Sequence, residues 1–502
     1  MRRADDAPRP CQSSPKGLEE CTVSLDARPG QEDSDYCLRD RSPSWAEGRV
    51  TTTEASTTTR PRGIDDEVRD DFVPKDAYID PAYVQWEKER LWPRVWQVAC
   101  REEEIPGTGD YLTFDVADES IIVLRLGDGS IRAYYNACQH RGRRLTEGCG
   151  TAGHLYCRYH GWRWNLDGSV REIVDEQDWD GRVDRDRLRL KQPLVDTWGG
   201  FVFINIDPDA RPLREYLAPV PEVFDAFEFG KFRHRWYKTV VLPCNWKTAL
   251  EAFNEGYHVQ TTHPQLLRNN DDMTVSTAHG IHATFTAAEG NWPLGAPSRR
   301  LGLPFPDDLR PGLIKFVELM EEQLKAIWTP RDLDAARRLM VDLDDGSDPA
   351  AVLGTMMRFA AEAAEKEGAG WPRLTIENLM RAGQDWHIFP NLIVLPYPDG
   401  ALWYRARPNG ADPDSCIFDI WSLVRYAPGA EPKLNREYYA DWQDHDQWGK
   451  ILEQDFDNLA AVQQGMKSRG FEGARPSPVQ EIAISNFHRV LRRYYTMEPV
   501  SS

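Results

Sequence analysis

The chain has 502 residues, a formal net charge of −19 and a hydrophobic fraction of 41%. This length exceeds that of one ordinary compact domain, so we expect two domains. The negative charge argues against nucleic acid and anionic membranes as partners, because both are bound chiefly through excess Lys and Arg. No apolar run approaches the roughly 18 residues needed to span a bilayer, which predicts a cytoplasmic protein.

The N-terminal region divides into two predicted segments. Residues 1–63 are rich in charged residues, Pro, Ser and Thr, and lack an apolar period, which predicts a disordered N-terminal extension. Residues 64–94 contain a predicted helix from Pro81 to Trp92, which Pro93 should end. We expect this segment to pack on the larger domain that follows.

Residues 95–212 are predicted to form a small antiparallel β domain. Short β-rich runs alternate with turn signals, and Gly127-Asp128-Gly129 predicts a hairpin turn. A second turn is predicted at Asn165-Leu166-Asp167-Gly168. The predicted strands are Tyr111–Val116, Ser120–Leu126, Ile131–Ala137 and Trp198–Asn205.

Residues 213–495 are predicted to form a larger α+β domain, because longer helical stretches alternate there with strand-like runs. The predicted helices are Leu313–Ile327, Ala350–Lys366 and Trp448–Arg469, and the predicted strands include Leu392–Pro396 and Cys416–Tyr426. The sequence contains neither a GxGxxG fingerprint nor a Walker-type phosphate loop, so it gives no support for a dinucleotide or nucleoside triphosphate site.

Two segments of the β domain offer metal ligands in pairs. Cys138 and His140 form the first pair, and Cys157 and His160 form the second. A [2Fe-2S] centre with Cys on one iron and His on the other needs such a set. A structural zinc site is the alternative, although zinc usually draws its ligands as Cys-x-x-Cys and His-x-x-x-His pairs. The odd number of cysteines, nine, does not suggest a disulfide framework.

A second constellation lies in the larger domain. His258 and His263 would be about 140° apart on a continuous helix, too far to share a metal. Pro264 removes this obstacle by ending the helix near residue 263, so that His263 can fold back. Glu255 and His258, at i and i+3, should share a face. Two imidazoles and one carboxylate on one face of Fe(II) leave positions for dioxygen, but this segment does not supply the carboxylate.

These motifs resemble those of a known family. Cys138, His140, Cys157 and His160, with Gly161-Trp162 and Trp198-Gly199-Gly200, are similar to the Rieske domain of aromatic ring-hydroxylating dioxygenases. Respiratory Rieske proteins carry an additional disulfide between the two loops, at positions that Arg143 and Tyr159 occupy in this chain. The resemblance therefore implies an oxygenase-type [2Fe-2S] cluster.

The resemblance extends through the larger domain and implies a third ligand to the mononuclear Fe(II). In Glu453-Gln454-Asp455-Phe456-Asp457-Asn458 the family's spacing points to Asp455, with Asp457 as the rival. The implied fold is α+β. It comprises a small antiparallel β Rieske [2Fe-2S] domain over 95–212 and a larger α+β, helix-grip-like catalytic domain with the mononuclear iron over 213–495.

The resemblance implies the catalytic alpha subunit of a Rieske non-haem iron oxygenase. Electrons from NAD(P)H would arrive through a ferredoxin and/or a flavin reductase and would be used with O₂ on a small organic substrate. The expected reaction is cis-dihydroxylation, hydroxylation or demethylation of a largely apolar, aromatic or polycyclic molecule. Alternatives are a monooxygenase of a quaternary ammonium or aromatic acid substrate, with Arg373 and Arg381 as candidates for pairing with a carboxylate, and a Rieske electron-transfer protein without catalysis.

The family also implies an assembly, a homotrimer with or without a small beta subunit. In a head-to-tail ring each Rieske domain lies beside the neighbouring iron site. Glu255 would then bridge His160 of one chain and His258 of the next, where an Asp is more usual. Glu at this position resembles a subset that includes oxygenases of quaternary ammonium compounds. An acidic electron donor is expected to dock on the arginines near the cluster, which are Arg141, Arg143, Arg144, Arg158 and Arg163.

Overall fold

The computed structural model describes residues 59–500. The predicted disordered extension therefore lies outside the described residues, except for residues 59–63. Arg62 in that short stretch pairs with Asp80, with 3.1 Å between Nε and Oδ2. Among the helices of residues 59–500, none combines the length and the apolar character that crossing a bilayer requires.

The described strands and helices are numbered in the order in which they follow one another along the chain. The strands are β1 Val73–Pro74, β2 Gln97–Arg101, β3 Asp110–Val116, β4 Glu119–Arg125, β5 Ile131–Tyr135, β6 Cys149–Thr151, β7 Leu155–Tyr156, β8 Arg163–Trp164, β9 Val170–Glu172, β10 Leu194–Trp198, β11 Phe201–Asn205, β12 Arg233–Leu242, β13 Thr274–His279, β14 His282–Ala287, β15 Asp385–Ile388, β16 Leu392–Tyr397, β17 Gly400–Asn409, β18 Asp412–Val424, β19 Arg436–Tyr439 and β20 Gly473–Ala474. The α-helices are α1 Asp76–Ile79, α2 Pro81–Trp86, α3 Leu213–Tyr216, α4 Val220–Phe224, α5 Trp246–Glu251, α6 Val259–Thr262, α7 Arg310–Gln323, α8 Pro330–Asp342, α9 Pro349–Glu367, α10 Ile376–Ala382, α11 Lys450–Met466 and α12 Ile482–Thr496.

Small antiparallel sheets form the N-terminal β region. Their strand orders are β10-β11-β2, β5-β4-β3-β6 and β7-β8-β9. The strands predicted around residues 111–137 are confirmed, and Gly129 closes the β4–β5 hairpin with a φ of +85°. The continuous strand predicted from Trp198 to Asn205 is wrong at its start. Gly199 and Gly200 both have positive φ, and they turn the chain between β10 and β11.

An eight-stranded sheet organises the larger domain, in the order β13-β14-β15-β16-β17-β18-β12-β19. Its neighbours are antiparallel except for β12 and β19. Helices α5, α11 and α12 cover one face. Phe253, which follows α5, stacks on Phe418 of β18 and packs against Tyr404 of β17 with its ring tilted. The α+β class is confirmed, and α9 and α11 match the helices predicted near residues 350–366 and 448–469.

A buried polar network anchors helix α5 to the segment that precedes the β region and to the C-terminal helix α12. Lys247, fully buried, forms an ion pair with Glu87, which also accepts hydrogen bonds from Trp246 and from Tyr495 of α12. The helix predicted from Pro81 to Trp92 is present as α2, continued by a π-helix over Glu87–Leu91. This irregular turn supplies the Glu87 carboxylate to the helix that precedes the predicted iron-binding motif.

Candidate metal centres

Two tight loops bring the predicted cluster residues together. The Gly142 amide donates to the Cys138 carbonyl at 2.9 Å, and the Gly161 amide donates to the Cys157 carbonyl at 3.0 Å. Both glycines have positive φ, which other residues adopt reluctantly. The imidazoles of His140 and His160 consequently lie with their ring centroids 4.5 Å apart.

The donor atoms of these loops fit a [2Fe-2S] cluster. Burial raises the pKa of the Cys138 thiol, but backbone amides of His140 and Arg141 that donate to it oppose this shift. Burial and the neighbouring charges of His160 and Arg141 lower the pKa of His140, which keeps its imidazole neutral, as metal binding requires. Buried Nδ1 of His140 has no hydrogen-bond partner within residues 59–500 and is therefore available as a ligand atom.

The second motif has a different backbone from the one predicted. Helix α5 ends at Glu251, and the chain passes through a non-helical turn before α6 begins at Val259. His258 caps the start of α6 and His263 caps its end. The prediction that one helix carries Glu255 and His258 is therefore wrong, although their side chains do meet. The short helix, rather than Pro264 alone, turns the two imidazoles toward each other.

Three predicted iron ligands converge at this point. Asp455 Oδ1 lies 2.9 Å from His263 Nε2 and 3.6 Å from His258 Nε2. One candidate ligand atom from each of the three residues lies within 4.8 Å of the others. Asp455 comes from α11, whereas both histidines flank α6. Two imidazoles and a carboxylate held in this way fit an Fe(II) centre with open positions.

The remaining imidazole nitrogens are also held. His258 Nδ1 contacts Glu255 Oε1 at 2.6 Å, and His263 Nδ1 contacts Gln454 Oε1 at 3.0 Å. Such partners fix the ring orientation and leave Nε2 as the metal-binding atom. Glu255 was predicted from the sequence, but Gln454 was not. The available signal was that Gln454 directly precedes Asp455. A polar side chain next to one iron ligand on a helix can reach a histidine that binds the same metal.

The rival carboxylate belongs to another cluster. Asp457 Oδ1 lies 3.3 Å from His445 Nε2, and Glu453 Oε1 lies 3.1 Å from His445 Nδ1. Glu453 and Asp457 are one helical turn apart on α11 and therefore share a face of the helix, whereas Asp455 lies on a different face. The structure therefore brings Asp455, and not Asp457, to the two histidines.

Charges around His258 favour its protonated form in the metal-free site. Burial lowers the pKa of its imidazole, but the hydrogen bond and negative charge of Glu255, together with the charge of Asp455, raise the pKa to about 9. A metal ion replaces the proton that these carboxylates otherwise stabilise. The same negative charge that holds the proton therefore also suits a divalent cation.

Comparison with known families assigns both regions. Residues 95–183 match the Rieske [2Fe-2S] domain, and residues 229–497 match the ring hydroxylating alpha subunit (catalytic domain). The chain therefore belongs to the family of ring-hydroxylating oxygenase alpha subunits. This family combines a [2Fe-2S] cluster with a mononuclear iron, in agreement with the two donor sets described above.

Individual relatives differ in the reactions named for them. The chain is 31% identical over 228 residues to the carnitine monooxygenase oxygenase subunit of Escherichia coli (strain K12), an alignment that covers 43% of this chain and 58% of that protein. It is 26% identical over 439 residues to the biphenyl dioxygenase subunit alpha of Paraburkholderia xenovorans (strain LB400), with 83% and 84% covered. For the first of these and several others, the chain spans about half the length of the curated relatives it matches.

The fold also has counterparts of known structure. Naphthalene 1,2-dioxygenase from Rhodococcus sp. bound to indole superposes with a TM-score of 0.56 at 19% identity, covering 85% of this chain and 95% of that chain. At this identity the likeness shows the fold alone. It establishes the arrangement of a Rieske domain and a larger catalytic domain of mixed helices and sheets.

Proposed function

We propose that this chain is the terminal oxygenase component of a Rieske non-haem iron system. The observation that carries the proposal is the convergence of His258, His263 and Asp455 in a chain that also holds a complete set of cluster ligands. A Rieske electron-transfer protein needs only the cluster loops and has no use for a second donor set. The catalytic interpretation therefore accounts for both constellations.

In this proposal each donor set has one role. Cys138, His140, Cys157 and His160 hold the [2Fe-2S] cluster, and His258, His263 and Asp455 hold Fe(II). When bound, the cluster supplies single electrons and the iron activates dioxygen.

The protein's own residues orient these groups. Glu255 and Gln454 hold the Nδ1 atoms of the two iron-site histidines, so that both Nε2 atoms face Asp455. His263 and Asp455 are almost completely buried, which limits the access of bulk water to the site.

The substrate and partners follow from the same proposal. The expected substrate is a small, largely apolar organic molecule, aromatic or polycyclic, and a quaternary ammonium compound is the alternative suggested by the carnitine monooxygenase relative. Electrons from NAD(P)H arrive through a ferredoxin and/or a flavin reductase, and the proposed location is the cytoplasm. The proposed functional division is a Rieske domain over 95–212 and a catalytic domain over 213–495. Exposed Arg141, Arg143 and Arg158 support docking of an acidic donor at the cluster loops.

We also propose a homotrimer in which Glu255 links the metals of neighbouring chains. His160 is exposed at its loop tip, available to a neighbour, and Glu255 Oε1 already holds His258 Nδ1. Glu255→Gln should leave both metals bound and the trimer assembled, yet slow cluster-to-iron electron transfer by at least about tenfold. Stopped-flow oxidation of the reduced cluster measures this rate. Oxidation at the wild-type rate, or a fully active monomer, would refute the bridge.

Metal content and oxygen uptake test the function directly. The proposal requires about three iron atoms per chain, against two for a cluster alone. Cys138→Ala should abolish the visible absorption of the cluster, whereas His263→Ala should keep that absorption and lose turnover because the two ligand sets are separate. Oxygen uptake and product formation are measured with a reconstituted reductase over a substrate panel. Full product formation by His263→Ala in a single turnover contradicts the iron assignment.

A further inference from the structure

Asp385, in the larger domain, is a buried carboxyl group without a protein partner. The residue is 0% exposed, and neither of its carboxylate oxygens has a hydrogen-bond partner within residues 59–500. Burial raises the pKa of this carboxyl well above its usual value. Buried polar groups are nearly always satisfied, and an unsatisfied one costs on the order of 1–3 kcal/mol. Such a residue calls for a partner that the folded chain itself does not provide.

Strand register shows which face of the sheet Asp385 occupies. Asp385 lies directly opposite Phe285 of β14, and His387, two positions further along β15, lies opposite Ile393. Ile393 in turn lies opposite Tyr404 of β17. Directly paired residues, and residues two apart on one strand, project from the same face. Asp385 therefore shares a face with the rings of Phe285 and Tyr404.

This is the face on which the iron residues lie. The Tyr404 ring is 4.5 Å from the ring of Phe253, in the turn that leads to Glu255 and His258. Phe285 lies against Gly256 of the same turn, since a methyl group on that glycine would be 3.6 Å from the Phe285 ring. Burial, followed by the nearby carboxylates of Asp455 and Asp385, raises the pKa of Tyr404 well above its usual value. The Asp385 and Asp455 carboxylates thus both lie close to the Tyr404 side chain.

His387 shares the face of Asp385, but burial lowers the pKa of its imidazole to about 4, which leaves it neutral. The other basic groups located near β15, His279 and Arg381, lie on the opposite face. Trp386 stacks on His279 with 4.8 Å between ring centroids. Arg381 belongs to α10, which packs against α4, and Phe224 of α4 contacts Trp386 on this same face. Arg381, one of the two candidates for pairing with a substrate carboxylate, is therefore separated from the iron face by the sheet. The acidic side chains that these contacts place on the iron face are those of Asp385 and Asp455, and a bound cation would favour the ionised form of Asp385.

We propose that Asp385 is the counter-ion for a cationic group of the substrate, an alkylated ammonium seated against the rings of Phe285 and Tyr404. The inference rests on the proposed oxygenase function and favours its quaternary ammonium alternative over a neutral apolar substrate. A carboxylate supplies the charge, and aromatic faces attract a cation by its interaction with the ring quadrupole. A primary ammonium is less well matched, because its three N–H donors need acceptors that rings do not supply.

Paired ligands that differ only in charge test this subsite. The holoprotein is titrated calorimetrically with benzyltrimethylammonium and choline, and with their uncharged tert-butyl isosteres, neopentylbenzene and 3,3-dimethylbutan-1-ol. The wild type should bind at least one cation at least about 30-fold more tightly than its isostere, and Asp385→Asn should abolish this preference. Absence of a preference in the wild type, or its retention in Asp385→Asn, overturns the inference.

Two controls separate a binding role from a structural one. Asp334→Asn removes the same charge from a side chain on α8 that is 80% exposed, and it should leave the preference intact. Asp385→Asn should not lower the thermal midpoint, because the native carboxyl has no partner to lose; a clearly lower midpoint shows a structural role and counts against the proposal. An oxygenase with about three iron atoms per chain that oxidises only neutral substrates refutes the subsite while retaining the proposed function.

Discussion

Gln454→Ala removes the amide oxygen that holds His263 in position. That oxygen accepts hydrogen bonds from His263 Nδ1 at 3.0 Å and from Gln265 Nε2 at 2.7 Å. His263 is only 3% exposed, so water cannot readily replace the lost partner. The imidazole would then be free to rotate or to adopt the tautomer whose proton lies on Nε2, and that tautomer cannot bind a metal through this nitrogen.

The expected loss of Fe(II) affinity follows from the cost of leaving the Nδ1–H of the ligand His263 without a hydrogen-bond partner. Loss of an outer-shell partner of a metal-binding histidine typically lowers metal affinity about 10- to 100-fold. This corresponds to roughly 1.4–2.7 kcal/mol, within the range for leaving a buried donor unsatisfied. We therefore expect Gln454→Ala to weaken Fe(II) binding by that factor without affecting the cluster.

Anaerobic chelator competition measures the Fe(II) affinity, and the visible absorption of the cluster serves as an internal standard. Gln464→Ala, an exposed glutamine on the same helix, is the matched control and should bind Fe(II) as the wild type does. An affinity of Gln454→Ala within about twofold of the wild type would show that the contact does not position His263.

The two remaining predictions concern the buried ion pair and the pH dependence of iron binding. Lys247→Met should lower the free energy of unfolding by about 3–5 kcal/mol, because the Glu87 carboxylate is left charged and buried. The double variant Glu87→Gln/Lys247→Met should recover most of this loss. Denaturant unfolding measures both variants, and equal losses would contradict the ion-pair explanation. Since the pKa of His258 in the metal-free site is raised to about 9, Fe(II) binding releases a proton below that pH. The apparent Fe(II) affinity should rise about tenfold per pH unit and level off above about pH 9, so an affinity independent of pH between about 7 and 9 would show that His258 carries no proton to release.

Local patterns predicted the parts of the fold that depend on local interactions. The β4–β5 hairpin was predictable because Gly127-Asp128-Gly129 separates two alternating runs, and α9 because its apolar period is long. The hairpin at Gly199-Gly200 was missed because two glycines inside an apolar run resemble a continuous strand. Helix α12 and most strands of the eight-stranded sheet were also missed, since pairing between distant segments leaves little local signal.

In the candidate site, too, local sequence predicted some features, whereas others depend on contacts between distant segments. Ligand types and spacing predicted His258 and His263, and the family resemblance implied Asp455; the structure brings all three together. The conformation that joins them was mispredicted, because the turn between α5 and α6 depends on packing against the sheet rather than on local propensity. Gln454 and Asp385 carry no motif. Their importance lies in what surrounds each side chain, which only the assembled fold reveals.

The network around helix α5 has a consequence for the order in which the metals can enter. Glu251 contacts both Tyr78 and His488, and Glu87 contacts Tyr495, so residues from α12 complete the anchoring of the helix before the iron loop. A growing chain that lacks residues 482–496 leaves these buried carboxylates without the partners that α12 supplies, His488 and Tyr495. The cluster loops have their own core among residues 122–190 and need none of α12. We therefore expect the cluster domain to mature first and iron to enter only after α12 is synthesised and packed.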